Sequence, residues 1–595
     1  MKPTTEILVN ISKNSSKNKE EVFTRLYRYM LRPDLYYAAY QRLYSNNGAS
    51  TKGIEDDTAD GFSQEKIDKI IQFLSDESYM PKPVRRAYIP KKRGSHKMRP
   101  LGIPTFTDKL VQEVLRMILE SVYEPIFSKN SHGFRPQRSC HTALNSLKKE
   151  FTGVGWFVEG DIKGCFDNIN HHVLVDIIGR KIKDARLIKL VWKFLRAGYM
   201  EDWQYNGTYS GCPQGGIISP LLANIYLNEL DKFAEETAER FYKERDRVRT
   251  VEYDKISGEI AAIRKQLKTA SGSEKMALLK RRKELRLQLR KTPCASQTDK
   301  VMKYIRYADD FIIGVKGNKV DCEMIKKAFA DFICLELKME LSAEKTLITH
   351  SSQPARFLGY DVRVRRDNTV KPHGTHLQRT LKGKVELCVP FKDKIMPFLF
   401  DKSIIRQLPD GTLEPIARKF LYACTDLEIV SAYNSELRGI CNYYAIASNY
   451  CRLCYFAYFM EYSCLKTIAG KHKTTARKVI GNYSSNGSWS VPYRTAKGVK
   501  YCKFADFMKC KKATDFDDVI KDHALMFFHS RTTLEDRLSA QVCELCGKTG
   551  VPLEIHHVNK IKNLKGKEIW KIMMIAKRRK TLAVCKNCHH KIHNP

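Results

Sequence analysis

Tyr304-Ile-Arg-Tyr-Ala-Asp-Asp-Phe-Ile-Ile-Gly-Val315 contains two runs of β-forming residues on either side of a short acidic turn. This pattern predicts a β-hairpin with Asp309 and Asp310 side by side at its turn. Upstream, Trp156-Phe-Val-Glu-Gly-Asp161 is another apolar run that ends in a carboxylate. The sequence therefore predicts strand ends that present acidic side chains.

These three carboxylates suit one kind of chemistry. Phosphoryl transfer between nucleotides uses two divalent ions about 3.5–4 Å apart, and Mg²⁺ prefers carboxylate and phosphate oxygens as ligands. Asp161, Asp309 and Asp310 can supply such ligands. Taken alone, an Asp-Asp pair is more commonly a solvated turn, so the prediction of a Mg²⁺ site depends on the surrounding sequence.

The overall charge points to a nucleic-acid partner. The 595 residues include 104 Lys and Arg against 66 Asp and Glu, a formal net charge of +38. Such an excess creates a long-range field that attracts polyanions. A membrane-spanning role is excluded, because the apolar-looking segment 445–465 is interrupted by Asn449, Arg452 and Glu461.

The N-terminus lacks the apolar segment of a secretory signal, and many of the 18 Cys are scattered singly. We therefore expect a reduced, intracellular protein, cytoplasmic in a bacterial-type cell.

The length predicts about four domains at roughly 150 residues each. Residues 1–80 are expected to be helical with a basic loop, and residues 81–370 to form an α+β domain with an antiparallel sheet. Within the latter, residues 232–292 predict a helical hairpin, either a solvated spacer or an insertion that contacts nucleic acid. Residues 371–481 predict a helical domain with an apolar stripe through Val430, Tyr433 and Leu437, and a Ser/Asn/Gly-rich linker is expected at 481–488.

Other blocks around the acidic turn occur in a recognisable order. With Tyr307-Ala-Asp-Asp310 in place, the chain resembles the reverse transcriptases, whose ordered motifs correspond to the following stretches: Arg99-Pro-Leu-Gly-Ile-Pro104, Ser131-His-Gly-Phe-Arg-Pro136, Gly211-Cys-Pro-Gln-Gly-Gly216, Leu341-Ser-Ala-Glu-Lys-Thr346 and Phe357-Leu-Gly-Tyr360. This resemblance implies a right-hand polymerase with fingers and an antiparallel palm sheet.

The same resemblance implies roles for individual residues. Asp161 and Asp309 would be the principal Mg²⁺ ligands, with Asp310 beside them. Phe166 would act as a gate against a ribose 2′-hydroxyl, unless it is ordinary core. The remaining implied roles are triphosphate binding by Lys92 (or Lys91) and Arg99, nucleotide bracing by Gln214, acid catalysis by Lys345, and primer grip by Phe357, Leu358, Gly359 and Tyr360.

The C-terminal segment, residues 543–595, is expected to be a small separate module that holds metal. Cys543-Glu-Leu-Cys546 and Cys585-Lys-Asn-Cys588 are two CxxC pairs. Paired thiolates of this kind hold a structural Zn²⁺ in a closed tetrahedral site. The alternative is a set of buried spare thiols, although paired spacing in a reduced protein favours metal.

Glu554-Ile-His-His557 and His589-His-Lys-Ile-His593 resemble the signature of the HNH nucleases, which have a ββα-metal fold. The resemblance implies that His557 is the general base and that His556, His589 and His593 hold a catalytic divalent ion, expected to be Mg²⁺. One departure is Thr581, which stands where many HNH nucleases carry an Asn. The alternative to an active nuclease is a zinc-stabilised remnant that binds DNA.

The loop at 44–53, the segment Leu437-Arg-Gly-Ile-Cys-Asn-Tyr-Tyr444 and the metal module together resemble the group II intron-encoded maturases. The resemblance implies a maturase thumb at 371–481, a DNA-binding region at 482–542 and an HNH endonuclease at 543–595. The implied partners are the parent intron RNA as a lariat ribonucleoprotein, double-stranded target DNA and deoxynucleoside triphosphates, with a homodimer as one possible assembly.

In that family the protein assists intron splicing, nicks target DNA and copies the intron RNA from the nicked end. Dispersed Lys and Arg suit structured RNA. The candidate contacts for RNA are Arg438, Asn442, Lys466 and Lys471, and those for DNA are Lys509, Lys511, Lys512 and Arg531. The hypothesis from a different class is a nonenzymatic RNA-binding splicing factor with a relic polymerase site; the intact carboxylates argue against it.

Overall fold

The structure is a computed structural model, and it describes residues 4–46, 48–90, 98–212, 215–242, 249–292, 294, 300–366, 370–374, 376–379, 383–485, 488–495, 498–510, 534–564 and 568–594. Helices and short sheets are mixed along the whole of this part of the chain. Among the described helices, none has both the length and the apolar character that crossing a bilayer requires.

The first region is built around one long buried helix. Its elements are α1 (Thr4–Lys17), α2 (Pro33–Leu43), β1 (Phe62–Ser63), α3 (Gln64–Ser75), β2 (Val84–Pro90), β3 (Met98–Ile103) and α4 (Phe106–Tyr123). Helix α4 begins where the Thr105 side chain accepts a hydrogen bond from the Asp108 backbone N–H, an N-cap that fixes its start. Because α1 and α2 both pack on α4, the N-terminal residues belong to the main core.

The central region carries the antiparallel sheet that the sequence predicts. Its elements are α5 (Cys140–Glu150), β4 (Trp156–Asp161), α6 (His171–Lys181), α7 (Ala185–Leu195), β5 (Tyr199–Glu201), β6 (Gln204–Asn206), α8 (Ser219–Phe241), α9 (Val251–Gln266), α10 (Gly272–Lys291), β7 (Val301–Tyr307), β8 (Asp310–Lys316), α11 (Lys319–Leu335) and β9 (Ile348–His350). Four strands pair antiparallel in the order β7-β8-β4-β9, and α8 packs on β7. A second sheet has the order β3-β2-β5-β6.

Helices α9 and α10 form the predicted hairpin, which has a small hydrophobic core of its own. Ile260 and Ile263 on α9 pack with Leu285 on α10, and this cluster is separate from the two large cores. The hairpin ends meet where the Thr250 N–H donates to the Cys294 carbonyl at 3.4 Å. The predicted range 232–292 also includes the second half of α8, which packs on the central sheet instead.

The following region is largely helical. Its elements are β10 (Ala355–Phe357), β11 (Tyr360–Val364), β12 (Val370–His373), β13 (His376–Arg379), β14 (Val385–Cys388), α12 (Met396–Asp401), β15 (Ile405–Gln407), β16 (Leu413–Pro415), α13 (Asp426–Tyr443), α14 (Leu453–Lys471), α15 (Ala476–Tyr483), β17 (Ser484–Ser485), β18 (Ser488–Thr495), β19 (Gly498–Lys503) and α16 (Phe507–Cys510). The predicted apolar stripe packs as core, because Val430, Tyr433 and Leu437 on α13 are fully buried.

The linker predicted at 481–488 is wrong over its described residues. Residues 481–483 end helix α15, and β17 pairs with β18 directly after it. Strand β18 continues into Trp489 and Val491, which are buried in the same core as α13. Burial of these two apolar side chains holds a stretch with linker-like composition against the helices.

The C-terminal elements are α17 (Leu534–Ser539), β20 (Leu553–His557), α18 (Ile569–Lys577), β21 (Thr581–Cys585) and α19 (Lys586–His593). They form a ββα unit, but the prediction of a separate module is wrong. Strand β1 pairs antiparallel with β20, which gives a sheet of order β1-β20-β21. Phe62 and Ile555, partners in that pairing, are both fully buried, so the two ends of the chain share one core.

Candidate functional site

The three predicted carboxylates come together at one edge of the central sheet. Asp161, the last residue of β4, pairs in register with Asp310, the first residue of β8. Asp309 lies in the turn between β7 and β8. The loop at 131–136 packs against this turn, because a Cβ added to Gly133 would lie 2.3 Å from the Ala308 backbone nitrogen. Only glycine allows this approach, so the loop at 131–136 lies directly against the acidic turn.

The carboxylates repel one another strongly. Burial, followed by the charge of Asp309 and contact with Asp161, raises the pKa of Asp310 to about 7. Burial also raises the pKa of Asp309, and the Asp161 charge adds to it while Lys345 and Arg99 oppose it. Like charges this close cannot all ionise without a nearby cation. The cluster therefore has the donor set and the charge that divalent cations require.

A buried arginine supports the acidic turn, and the sequence analysis missed it. Arg306 on β7 is fully buried; its guanidinium pairs with Asp231 on α8 and donates to the Ala308 carbonyl at 2.8 Å. It also donates to the Ser131 hydroxyl at 2.8 Å. One side chain thus joins the hairpin, α8 and the loop at 131–136. The available signal was an arginine flanked by Tyr304, Ile305 and Tyr307 in the predicted strand.

Only some of the predicted nucleotide-binding residues lie within the described part of the chain. Lys345 lies beside the carboxylates, with its ammonium 2.8 Å from Asp161 Oδ2, and Arg99 on β3 is exposed and close enough to influence Asp309. Phe166 is half-buried and packs edge-to-face on Phe134, with ring centroids 6.1 Å apart. Lys91, Lys92 and Gln214 lie outside the described residues.

The predicted primer grip is a tight turn between β10 and β11. Phe357 and Tyr360 point into the core, whereas Leu358 and Gly359 occupy the turn with positive φ. The carbonyls of Leu358 and Gly359 accept hydrogen bonds from the Tyr443 and Tyr444 hydroxyls at 2.6 and 3.1 Å. The end of α13 thus fixes this turn, in which Leu358 and Gly359 are partly exposed and the two aromatic side chains are buried.

At the C-terminus the four predicted cysteines converge. Their sulfurs all lie within 4.8 Å of one another. Cys546 Sγ and Cys585 Sγ are 3.9 Å apart, close to the roughly 3.8 Å that tetrahedral geometry implies for Zn–S bonds of about 2.3 Å. Although burial opposes it, hydrogen bonds from the Cys546 and Cys585 backbone N–H groups lower the pKa of Cys543 to about 6. This chemistry fits a structural Zn²⁺.

The predicted nuclease histidines also converge, with one unexpected neighbour. His556 on β20 and His589 and His593 on α19 place ring nitrogens within 4.8 Å of one another and of a carboxylate oxygen of Asp60. The sequence analysis missed Asp60, which lies in an acidic stretch near the N-terminus. Three imidazoles suit a transition-metal ion better than Mg²⁺, which prefers oxygen ligands.

His557, the predicted general base, lies next to this cluster and is buried. Its Nε2 is 3.0 Å from the Tyr44 carbonyl oxygen, and its backbone N–H donates to Asp60 Oδ1 at 2.7 Å. Burial lowers the pKa of His557, which favours the neutral form of the ring. Thr581 pairs with His557 across the strands, and its hydroxyl accepts a hydrogen bond from Arg537 at 3.0 Å.

The predicted nucleic-acid contacts are only partly available. Lys466 and Lys471 form ion pairs with Glu414 and Asp426 at 2.7 and 2.6 Å. Arg438 is exposed, and Asn442 is half-buried with a carboxamide oxygen that has no hydrogen-bond partner within the described ranges. On the DNA side Lys509 is exposed. The other three candidates, Lys511, Lys512 and Arg531, lie outside the described residues.

Comparison with protein families matches three parts of the chain. Residues 89–253 match the reverse transcriptase (RNA-dependent DNA polymerase) family, and residues 382–527 match the type II intron maturase family. Residues 543–589 match the AI2M/AI1M-like HNH endonuclease family. The first range contains Asp161 and the second contains α13 and α14. The third contains the four cysteines together with His556, His557 and His589.

Individual proteins are similar over nearly the whole length. The group II intron-encoded protein LtrA of Lactococcus lactis subsp. cremoris is 60% identical over 597 residues, which cover 100% of both chains. An uncharacterized 91 kDa protein in the cob intron of Schizosaccharomyces pombe is 35% identical over 98% of this chain and 72% of its own. The putative COX1/OXI3 intron 1 protein of Saccharomyces cerevisiae is 32% identical over 97% and 70%.

Proposed function

We propose specific residues for each activity of this chain, starting from the fact that it belongs to the group II intron-encoded proteins with reverse transcriptase, maturase and HNH endonuclease domains. It is thus an RNA-directed DNA polymerase and a DNA endonuclease in one chain. The observation that carries the polymerase assignment is the convergence of Asp161, Asp309 and Asp310 at one sheet edge.

For polymerisation, Asp161 and Asp309 would hold Mg²⁺ with Asp310 beside them. Bound there, the ions neutralise phosphate charge and polarise the reacting phosphoryl group. Lys345 is next to Asp161, and the hydrogen bond with that carboxylate raises its pKa, so it holds a proton that the leaving pyrophosphate can take. Arg99, with Lys92 and Gln214, would bind the triphosphate, and Phe166 against Phe134 would exclude a ribose 2′-oxygen.

For nicking, we propose His557 as the general base and His556, His589 and His593 as ligands of a divalent ion, which stabilises developing charge on the cleaved phosphate. The four cysteines would hold structural Zn²⁺. Thiolate ligands fit a reducing interior such as the bacterial cytoplasm. Thr581, in place of the common Asn, leaves the orientation of His557 to other groups, and the Tyr44 carbonyl is in place to provide it.

For splicing, we propose that residues 1–80, an N-terminal extension, and the helical region at 371–481 bind the parent intron RNA, and that residues 482–542 bind target DNA. The net charge of +38 supports both. In this scheme residues 81–370 correspond to the fingers and palm, and residues 371–481 to the maturase thumb. The turn at 357–360 would contact the primer through Leu358 and Gly359. We also propose that the protein forms a homodimer, which light scattering of the purified protein would test.

The first experiment is Mg²⁺-dependent extension of a DNA primer on an RNA template. We expect wild type to extend the primer and Asp309→Ala to abolish extension, because a metal ligand is lost. Asp331→Ala, an exposed aspartate on α11, is the matched control and should extend normally. If folded wild type fails to extend even with intron RNA present, the polymerase assignment is wrong and the nonenzymatic splicing factor is favoured.

The second experiment separates the two active sites by assaying Asp309→Ala and His557→Ala, as ribonucleoproteins, for both target-DNA nicking and cDNA synthesis. Asp309→Ala should still nick, and His557→Ala should still synthesise cDNA, because the two clusters use different side chains. Loss of both activities in either folded variant would contradict independent sites.

A further inference from the structure

The N-terminal segment reaches the nuclease site through strand pairing. Phe62 and Ser63 of β1 pair with Ile555 and Glu554 of β20, and the Gly61 N–H donates to the Ile555 carbonyl at 3.0 Å. Asp60, the residue just before this pairing, is thereby placed at the histidine cluster. Its position follows from backbone hydrogen bonds and does not depend on a flexible side chain.

The Asp60 carboxylate contacts all three predicted ligands. Oδ1 lies 3.3 Å from His556 Nδ1 and 3.3 Å from His589 Nε2, and Oδ2 lies 2.7 Å from His593 Nε2. The His589 and His593 Nε2 atoms are themselves 3.3 Å apart. Three imidazole nitrogens and a carboxylate oxygen that face one point form the donor set of a divalent-metal site.

Two further observations show that these side chains are arranged for an ion. His556 is 3% exposed, yet its Nε2 has no hydrogen-bond partner among the described residues, and its Nδ1 has only the 3.3 Å contact with Asp60 Oδ1. Buried polar atoms without partners are rare, and a metal ion would satisfy one of them. His589 Nδ1 lies 2.6 Å from Glu554 Oε2, which directs Nε2 toward the cluster. A carboxylate–imidazole pair of this kind is the usual support of a metal-binding histidine.

We propose that Asp60 is a ligand of the nuclease divalent ion, so that the nuclease site is built from both ends of the chain. The proposal rests on the assignment of residues 543–595 as a metal-dependent nuclease and adds a ligand from outside that segment.

The contacts of His557 extend the same composite site. Since a carbonyl oxygen can only accept, the contact with the Tyr44 oxygen places the proton on His557 Nε2 and leaves Nδ1 free to accept a proton from water. The Asp60 Oδ1 also accepts from the His557 backbone N–H, which fixes the strand end that carries the base. The N-terminal segment therefore supplies a ligand and also positions the general base.

The direct test is a Co²⁺ titration of the full-length protein with its cysteine site loaded with zinc. Co²⁺ held by three imidazoles and a carboxylate is tetrahedral and absorbs strongly in the visible, whereas Co²⁺ at the polymerase carboxylates is octahedral and absorbs weakly. We expect a saturable visible band for wild type. Asp60→Asn should raise the titration midpoint about tenfold or more and reduce the band.

Two control variants make the result unambiguous. His593→Ala removes a ligand that the proposed function already assigns, and should abolish the band. Asp56→Asn changes a neighbouring aspartate whose side chain is 86% exposed, and should behave as wild type. Asparagine at position 60 keeps an oxygen that can accept from the His557 N–H, so the fold is preserved; thermal melting checks this. Asp60→Glu, which keeps a carboxylate, should recover part of the band.

Nicking provides the second readout. Asp60→Asn should nick slowly at limiting divalent ion and recover at high concentration, with cDNA synthesis unchanged. An unchanged Co²⁺ midpoint and band in Asp60→Asn, together with loss of the band in His593→Ala, would overturn this inference alone. A titration unaffected by either variant would overturn the metal site itself, and faster nicking by Asp60→Asn would show that Asp60 blocks the site.

Discussion

Single residues in the interior hold the polymerase turn in place. Arg306 is fully buried and bonds to Asp231, Ser131 and Ala308. A buried charge pair is weak support for stability by itself, but removal of one partner leaves the other charge buried and uncompensated. The turn with Asp309 and Asp310 therefore depends on a residue that contacts no substrate.

Arg306→Met tests this dependence. We expect a loss of about 3–5 kcal/mol in the free energy of unfolding of this region, because Asp231 is left buried without its counter-charge. Thermal melting should show a lower midpoint, and primer extension should fall with it. Arg180→Met removes a largely exposed arginine from its pair with Glu229, which keeps its second partner Lys232, and should cost at most about 1 kcal/mol. Equal effects of the two substitutions would contradict the supporting role of Arg306.

His132 gives the protein a specific sensitivity to acid. Burial, reinforced by the charges of Arg138, Arg135 and Arg306, lowers its pKa to about 3. The unfolded value is about 6.5, so below that pH the unfolded chain binds a proton that the folded chain does not. The free energy of unfolding should thus fall by up to about 1.4 kcal/mol per pH unit from pH 6.5 toward 3.

The measurement is thermal melting of wild type and His132→Gln between pH 6.5 and 4.5. The variant should lose less stability across this range than wild type does. His172→Gln, at an exposed position on α6, should follow the wild-type slope. Parallel slopes for wild type and His132→Gln would show that His132 takes up a proton without unfolding.

Sequence reasoning succeeds for residues whose role is marked by local context. Asp161, Asp309 and Asp310 each lie at one end of a strand or in a turn, and neighbouring motifs single them out. Asp60 has no such mark, because Glu55, Asp56 and Asp57 precede it and the stretch has the composition of a solvated loop. Its proximity to His556 arises only from strand pairing between distant parts of the chain.

Elements whose apolar residues repeat at a regular spacing, or whose β-forming runs flank a turn, could be predicted from the sequence. The hairpin at 304–315 and the buried stripe of α13 follow from patterns within single segments. Strands β17 and β18 do not, because their Ser- and Gly-rich surroundings resemble a linker and only Trp489 and Val491 tie them to the core. Composition reports average polarity, whereas two apolar side chains are enough to fix a short strand.

The hairpin of α9 and α10 should be removable as a unit. Its hydrophobic core is separate from the two large cores of the protein, and its ends meet at Thr250 and Cys294. We expect replacement of residues 251–291 by a short Gly/Ser linker to leave the melting midpoint and primer extension close to wild type. The affinity for intron RNA and its salt dependence then show whether the helices contact nucleic acid. Loss of the fold would show that the hairpin supports the central sheet.

At the scale of the whole molecule, the two ends of the chain share one hydrophobic core. Residues of β20 and β21 pack in the same buried cluster as α1–α4. A contact between segments about 500 residues apart leaves no signal within either segment. The sequence therefore predicts the ββα fold of the C-terminal unit and the convergence of its cysteines and histidines, but not its attachment.

Removal of zinc should therefore affect the N-terminus as well. We expect a chelator that strips the cysteine site to increase proteolysis around residues 44–75 as well as within 543–594, because β1 loses its partner strand. The central sheet should stay protected. Mass spectrometry of limited digests distinguishes this result from release of the C-terminal unit alone, in which case the N-terminal fragments would remain resistant.

The pairing of β1 with β20 also sets the order in which the protein becomes competent during translation. Strand β20 leaves the ribosome long after β1, so β1 has no partner strand while the polymerase and helical regions are being made. A nascent or prematurely terminated chain can fold its polymerase sheet but has no nuclease. Cleavage by the proposed nuclease therefore requires that the polymerase and helical regions have been made first.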